Sequence, residues 1–407
     1  MACDGCATVT TAPELLAPAP RGQRLCPPCL GRRMAHEARR LRRIGLVGGL
    51  LGLLLLGPAP AQAFILLNFA VVLPLAVFLT LAAHEAGHAL AARLLGFRVY
   101  SITLGQGPLR FSRRLAGVDI MFRGLPLGGF TEAGTRAERW LSLRVALFIA
   151  AGPLANLVLL ALLVPRWSGG LTTGLAPVPL LVATNALSLL LSLLPIWPQS
   201  QTDRYRADGP TLIEALRGSA SWRHDRLAAG WYLAALDAYC HQPVEQAEAL
   251  LAEALAACPH DARLRRLDGE MAMARQDWLA AAERFEALLS AAQPGEARWW
   301  DALCLARCLA YAQVDLARAD QLTAEVTAAM PWEPLALGTR GLVLVAAGRD
   351  AEGAELLDQV AACALSSLWV VEFGTWQARA LARLGREDEA QGVLARLHAL
   401  APSAPAD

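Results

Sequence analysis

Twenty consecutive residues, Phe64 to Ala83, carry no charge, and they run without interruption into His84-Glu85-Ala86-Gly87-His88. An apolar stretch of that length is what an α-helix needs to cross the hydrocarbon of a bilayer. On such a helix His84 and His88 lie one turn apart on the same face, so both imidazoles reach a single metal ion. Glu85 stands beside that point and can take a proton from a water activated there. Ionisable groups running into lipid are costly and mark function. The sequence therefore predicts a membrane helix with a metal site at one end, and requires a third ligand from elsewhere.

Composition agrees with several spans. Of the 407 residues 55% are hydrophobic, and the mean hydropathy is +0.37. Four apolar stretches can be drawn: Ile44 to about Ala61, Phe64 to about Leu95, Val145 to Val164 and Leu175 to Trp197. Every basic residue is Arg; eight precede Ile44 and eight more lie between Gly96 and Arg144, whereas the other two connections hold only Arg166. Positive charge is retained on the cytoplasmic side of a membrane. The head, the 96–144 loop and the C-terminal region are thus expected in the cytoplasm, on a multi-pass protein of a bacterial inner or cell membrane. The first apolar run starts too deep for a signal peptide. With a net charge of +1 and a pI near 7.6, no nucleic-acid partner is expected.

The head, residues 1–43, carries Cys3-x-x-Cys6 and Cys26-x-x-Cys29. Two such pairs close a tetrahedral all-thiolate site with no open position, which predicts a structural zinc ribbon. The segment between them is Pro-rich and could not build a core alone, so metal would have to fold it. Arg32, Arg33, Arg39, Arg40, Arg42 and Arg43 then flank the first apolar run. The five other cysteines (Cys240, Cys258, Cys304, Cys308, Cys363) are expected as buried thiols of a reducing compartment.

Three segments in this order resemble the site-2 protease family of intramembrane zinc metalloproteases: His84-Glu85-Ala86-Gly87-His88, Pro126-Leu127-Gly128-Gly129-Phe130, and Ala151-Gly152-Pro153-Leu154-Ala155-Asn156. The loop Ile102-Thr-Leu-Gly-Gln-Gly-Pro108 is similar to the family's sequence after its metal helix. The resemblance spans roughly residues 65–215. It implies a core at 44–209 that cuts transmembrane segments of membrane-anchored proteins, regulatory ones among them, near the cytoplasmic face. Gly128, Gly129 and Phe130 would present an edge for strand addition by the substrate; the alternative is a Gly-rich turn. Gly152-Pro153 is expected to break or bend the third span. Asn156 would support the metal helix or bond the substrate, or simply mark a packing kink.

The resemblance implies an Asp-Gly pair as the source of the third ligand, shortly after an Asn-x-x-Pro. Here Ser192-Leu193-Leu194-Pro195 stands in place of that pattern, and two carboxylates follow, Asp203 and Asp208. Asp208 precedes Gly209 and a helical pattern, which makes it the first choice and Asp203 the second. Ser192 is a shorter hydrogen-bonding group than Asn, and Asn185, seven residues earlier, is a candidate to compensate. The implied catalytic zinc would be held by His84, His88 and Asp208, with Glu85 as the base.

Residues 210–407 change to an Ala, Leu, Glu and Arg composition. Ala247, Ala282, Ala319, Ala354 and Ala390 recur at 35, 37, 35 and 36 residues. This spacing predicts tetratricopeptide-like helix pairs stacked into a solenoid that binds a soluble cytoplasmic protein. Trp278, Trp299, Trp300, Trp332 and Trp376 are expected to pack between helices, and His224, His241, His260 and His398 show no ligand spacing. The expected fold is mainly α: a helix bundle of about four spans, a small zinc ribbon and a C-terminal α-solenoid. Two zinc ions are expected, one catalytic and one structural. A contrasting expectation is an inactive membrane scaffold acting through its repeats; a metal transporter is disfavoured because no relay of carboxylates crosses the spans.

Overall fold

The computed structural model describes residues 17–19, 23–25, 68–166, 177–194, 207–291, 296–361, 363 and 367–400. The first apolar stretch, Cys3, Cys6, Cys26, Cys29 and Asp203 lie outside the described residues. Between the two cysteine pairs, β1 (Ala17–Ala19) pairs antiparallel with β2 (Gln23–Leu25). The chain divides into two compact units, Gly45–Leu264 and Arg265–Asp407 with Met1–Ile44.

In the first of these, the motif lies on α1 (Leu73–Leu94), which follows a π-helical turn at Asn68–Val72. Pro74 sits in its first turn, where a missing N–H costs nothing. The second long helix, α2, is Leu141–Leu163, and the third, α3, is Pro177–Leu193. Ala70–Leu94 and Leu141–Arg166 are long and apolar enough to span a bilayer, yet only 22% of the apolar stretch of each is buried. A core helix of a soluble protein would be enclosed. These helices instead expose Leu75, Leu79, Leu90, Leu154, Leu157 and Leu162, as lipid contact allows. At 17 residues α3 is about 25 Å long, short of the roughly 30 Å hydrocarbon layer. Two helices long and apolar enough to cross a bilayer are therefore present among the described residues, and the first of the four expected stretches lies outside them. Of the break or bend expected at Gly152-Pro153, a break is absent, because α2 runs through Pro153 as one helix.

Arg144 ties the two long helices together. Its Nε donates to the Leu95 carbonyl at 2.8 Å, just past the end of α1, and its guanidinium lies 4.9 Å from the centre of the Phe97 ring.

The 96–144 loop is mostly a sheet, built by β3 (Arg98–Leu115) and β4 (Val118–Gly134). Ala116 and Gly117 turn between them with both φ angles positive, as a tight hairpin requires. Both strands double back. Residues 98–104 pair with 129–134 on one side and, from Ser101 on, with 119–122 on the other, while 109–115 pairs with 118–123. The segment from Gly129 to Gly134 is consequently left at a sheet edge.

Three helices complete this unit: α4 (Asp208–Arg217), α5 (Ala220–His241) and α6 (Val244–Ala257). Helix α4 packs on α2, and α5 packs on β4. The core of this unit gathers Ala92, Phe97, Val99, Val118, Leu141, Val145, Phe148 and Ala215.

Helix α7 (Ala262–Ala274) crosses into the second unit. There follow α8 (Trp278–Ala291), α9 (Glu296–Ala312), α10 (Leu316–Ala329), α11 (Pro334–Ala346), α12 (Asp350–Ala361), α13 (Ser367–Arg383) and α14 (Glu387–Leu400). From α8 on, each packs on its sequence neighbour, and α11 also packs on α9 and α13. The recurring alanines all fall at the fourth or fifth residue of α6, α8, α10, α12 and α14 and are all buried, as small side chains at close helix contacts are. Trp299 and Trp376 are buried, and Trp278 and Trp300 pack against the same core. Cys258, Cys304 and Cys308 are buried, but contrary to expectation Cys363, just past α12, is only half-buried and Cys240, at the end of α5, is exposed.

Candidate metal centre

Helical spacing puts His84 and His88 on the buried face of α1, and α4 begins with the carboxylate that meets them. His84 Nε2 is 3.0 Å from one Asp208 oxygen, His88 Nε2 is 3.5 Å from the other, and the two Nε2 atoms are 3.2 Å apart. His88 Nδ1 donates to the Phe148 carbonyl at 2.9 Å. That bond fixes the tautomer and turns the Nε2 lone pair toward Asp208.

The donor set suits zinc. Ligand atoms held about 2.0–2.1 Å from a tetrahedral ion lie about 3.3 Å from one another, and the three separations fall around this value. Two imidazoles and a carboxylate also leave one position open, as a catalytic site needs.

Room for the imidazoles comes from Gly152. A Cβ there would lie 2.2 Å from His88 Nε2 and 2.8 Å from His84 Nε2. The residue expected to break α2 instead allows α2 to cross at the level of both histidines. Gly209 acts similarly for Asp208, since a Cβ there would meet the Leu193 carbonyl oxygen at 2.4 Å.

Glu85 is 3% exposed and accepts a hydrogen bond from Thr131 Oγ1 at 2.8 Å. The donor comes from the edge segment of β4. Gly129 lets that segment approach, because a Cβ on it would stand 3.0 Å from Glu85 Oε1. A cavity of about 930 Å³ opens over His84, Glu85, His88 and Asp208 and includes Gly128, Gly129, Phe130 and Ser192 in its lining. The Ser192 hydroxyl donates to the Leu189 carbonyl of its own helix.

Asn185 and Asn156 are not part of that lining. Asn185 is fully buried between helices, where its amide donates to Thr80 Oγ1 and the Leu181 carbonyl. Thr80 also shares a hydrogen bond with Thr184, giving a polar contact one turn before His84. Asn156, equally buried and one turn after Gly152, has no hydrogen-bond partner among the described residues.

A second group of ligand-type side chains, Asp119, Asp237 and His241, also comes together. Arg98 and Arg114 each donate to Asp237 at 2.6 Å, and Arg114 donates to Asp119 at 2.9 Å. Two guanidinium groups already compensate these carboxylates, so the cluster is an ion-pair clasp between the sheet and α5. His241, to which spacing assigned nothing, belongs to that clasp.

The sequence matches the profile of Peptidase family M50 over residues 72–323, more than half of the chain. The chain belongs to peptidase family M50. The matched region contains both histidines, Glu85, β4 and Asp208. M50 proteases are zinc-dependent membrane proteins, in keeping with the exposed apolar faces of α1 and α2. A Neisseria meningitidis serogroup A protein, provisionally named a zinc metalloprotease, is 33% identical over 102 residues, 22% of this chain and 23% of that protein. The chain thus matches less than a quarter of that relative's length.

Thr131, Phe148 and Gly152 were not singled out by sequence reasoning as parts of the site. The first two act through a hydroxyl and a main-chain carbonyl, neither of which has a motif. Gly152 had one, but its helix-breaking meaning concealed its steric one.

Proposed function

We propose that this M50 chain is an intramembrane zinc endopeptidase that cleaves a transmembrane segment of another membrane protein near the cytoplasmic face. The observation that carries the proposal is the convergence of His84, His88 and Asp208 with Glu85 at the end of an open strand edge. Zinc, when held by those three side chains, supplies Lewis acidity toward a water and toward the scissile carbonyl. Glu85 takes the water's proton and passes it to the leaving nitrogen. Thr131 holds one carboxylate oxygen and so aims the other. The substrate, unwound, adds as a strand beside Gly129–Gly134, where main-chain groups bind it regardless of sequence. Ser192 could donate to the substrate only by releasing the Leu189 carbonyl, whereas its oxygen is able to accept without doing so.

The cytoplasmic orientation of the head and tail is supported by the arginine distribution. Cys3, Cys6, Cys26 and Cys29 would hold a second, structural zinc, and the tail's helix pairs would recruit a soluble partner.

Glu85→Gln tests the assignment. Zinc content and fold should be unchanged, cleavage of a co-expressed membrane substrate should vanish, and the variant should retain uncut substrate in affinity capture. Cleavage at the wild-type rate would refute the mechanism. Capture of soluble proteins alone, with no cleavage by the wild type, would favour the inactive scaffold.

A further inference from the structure

The cavity over the metal centre continues well beyond it. Eight successive residues of the β4 region, Gly128 to Thr135, line it. A strand offering one face would contribute alternate residues only, so the unbroken run means that the strand lies edge-on to the cavity. Gly129 is at the Glu85 end, and Thr135 is six residues on, about 20 Å away at about 3.3 Å per residue.

At the Thr135 end the facing wall is α5. Asp225, Ala229 and Leu233 line the cavity from one stripe of that helix, a turn apart, with Arg226 beside them. The helix is pinned there. Gly230 sits against the strand so closely that a Cβ would lie 2.2 Å from the Thr135 carbonyl oxygen. Arg136 stacks 4.8 Å from the centre of the Trp231 ring, and two turns past Gly230 the Arg98 and Arg114 clasp holds Asp237, whose side chain is 5% exposed. Leu233 is level with Gly134, because its Cδ1 would be 3.4 Å from a Cβ on that glycine.

We propose that α5 is the second wall of the substrate channel, and that Ala229 and Leu233 select substrate side chains four to six residues from the scissile bond, on the side toward Thr135. The inference rests on the proteolytic reading of the metal centre. The occupant is an extended peptide with small or apolar side chains at those positions. Leu233 is apolar and Ala229 small. Arg263, also in the lining, donates to Asp225 at 3.0 Å and Asp261 at 2.7 Å, so the rim is charge-balanced and makes no demand for an acidic substrate. A segment added to the strand points alternate side chains to opposite faces, and those turned to α5 meet these two residues.

The test uses the full chain and a designed single-span reporter whose membrane helix contains Gly-Pro near its cytoplasmic end, followed by alanines. A photo-crosslinking residue is placed at Leu233, or at Gln106 near the catalytic end of the cavity, in the Glu85→Gln background. Crosslinks from Gln106 should map beside the bond that the wild type cuts, and those from Leu233 four to six residues away. A second arm compares reporters with Ala or Trp at the mapped position. The wild type should prefer Ala by about tenfold, and Leu233→Ala should reduce that ratio severalfold. Crosslinking from Gln106 but not Leu233, or an unchanged ratio in a variant that still crosslinks, would overturn the channel wall while leaving the protease standing. No cleavage by the wild type and no crosslink from either position would overturn both.

Discussion

Thr131 Oγ1 donates to Glu85 Oε2 at 2.8 Å, joining the strand edge to the acid of the histidine motif. One residue of the segment proposed to bind substrate therefore also fixes the carboxylate proposed to act on it. The link is short because Gly129, two residues earlier, brings the strand against α1. A shift of the edge strand would move the base with it.

Thr131→Val should accordingly lower kcat with little change in KM or zinc content. A hydrogen bond to a charged group contributes about 1.5–3 kcal/mol, or roughly ten- to hundredfold in rate. Thr131→Ser should restore most of the loss. Equal activity of the Val variant would show that Glu85 needs no orienting donor.

Gly152→Ala should act on metal binding instead. The added methyl would fall 2.2 Å from His88 Nε2, a separation that neither α2 nor the ring can tolerate without moving. Zinc affinity should fall at least about tenfold, the size of change produced when supporting interactions around a metal ligand are lost. Leu154→Ala, at an exposed position of the same helix, should leave zinc unchanged. Normal zinc in the Gly152 variant would mean that the histidines adjust.

How much of this was legible in the sequence follows from which interactions have a period. The helix with His84 and His88 was readable because charge-free length and one-turn spacing both leave a trace. The tail's buried alanines were readable because their interval repeats. Asp208 was legible only as a choice between two carboxylates, since it reaches the histidines across 120 residues or more. The 96–144 segment was read as a loop with one extended stretch, although Val118, Ile120 and Phe122 recur at every second position with Asp119 and Arg123 between or beside them, a strand pattern blurred by the apolar Met121. Its arginines drew attention to topology and away from that alternation. The clasp of Asp237 with Arg98 and Arg114 joins distant elements and had no local signature.

The ligand choice can be decided by counting metal. Two zinc ions per chain are expected when both proposed sites are intact. Asp208→Ala should lose the one held with His84 and His88, whereas Asp203→Ala should keep both. Cys3→Ser combined with Cys6→Ser should remove the other and spare cleavage chemistry at Glu85. Metal analysis of the purified full chain reads each outcome. Loss of zinc from the Asp203 variant alone would reverse the assignment.

Cys308 and Tyr311 predict how the C-terminal unit responds to alkali. Burial pushes the Cys308 thiol up to about 12, and burial together with the nearby Glu372 carboxylate pushes the Tyr311 phenol up to about 12. Cys304, wholly enclosed beside them, is raised well above its ordinary value by burial. The Cys308 thiol and the Tyr311 phenol are neutral in the fold over a range where the unfolded chain ionises, so unfolding releases protons there. Their contribution to stability is complete below about pH 9, near the unfolded thiol's pKa, and is lost progressively toward pH 12. Urea unfolding of the full chain, followed by tryptophan fluorescence, should show a falling midpoint from about pH 9 upward, with a shallower fall in Cys308→Ala. At pH 8 a thiol with a pKa of about 12 is ionised to about one part in ten thousand, so iodoacetamide should modify exposed Cys240 and spare Cys308 until urea opens the helices. Rapid alkylation of Cys308 in the native chain, or a midpoint independent of pH up to 11, would contradict the packing of α9 against its neighbours.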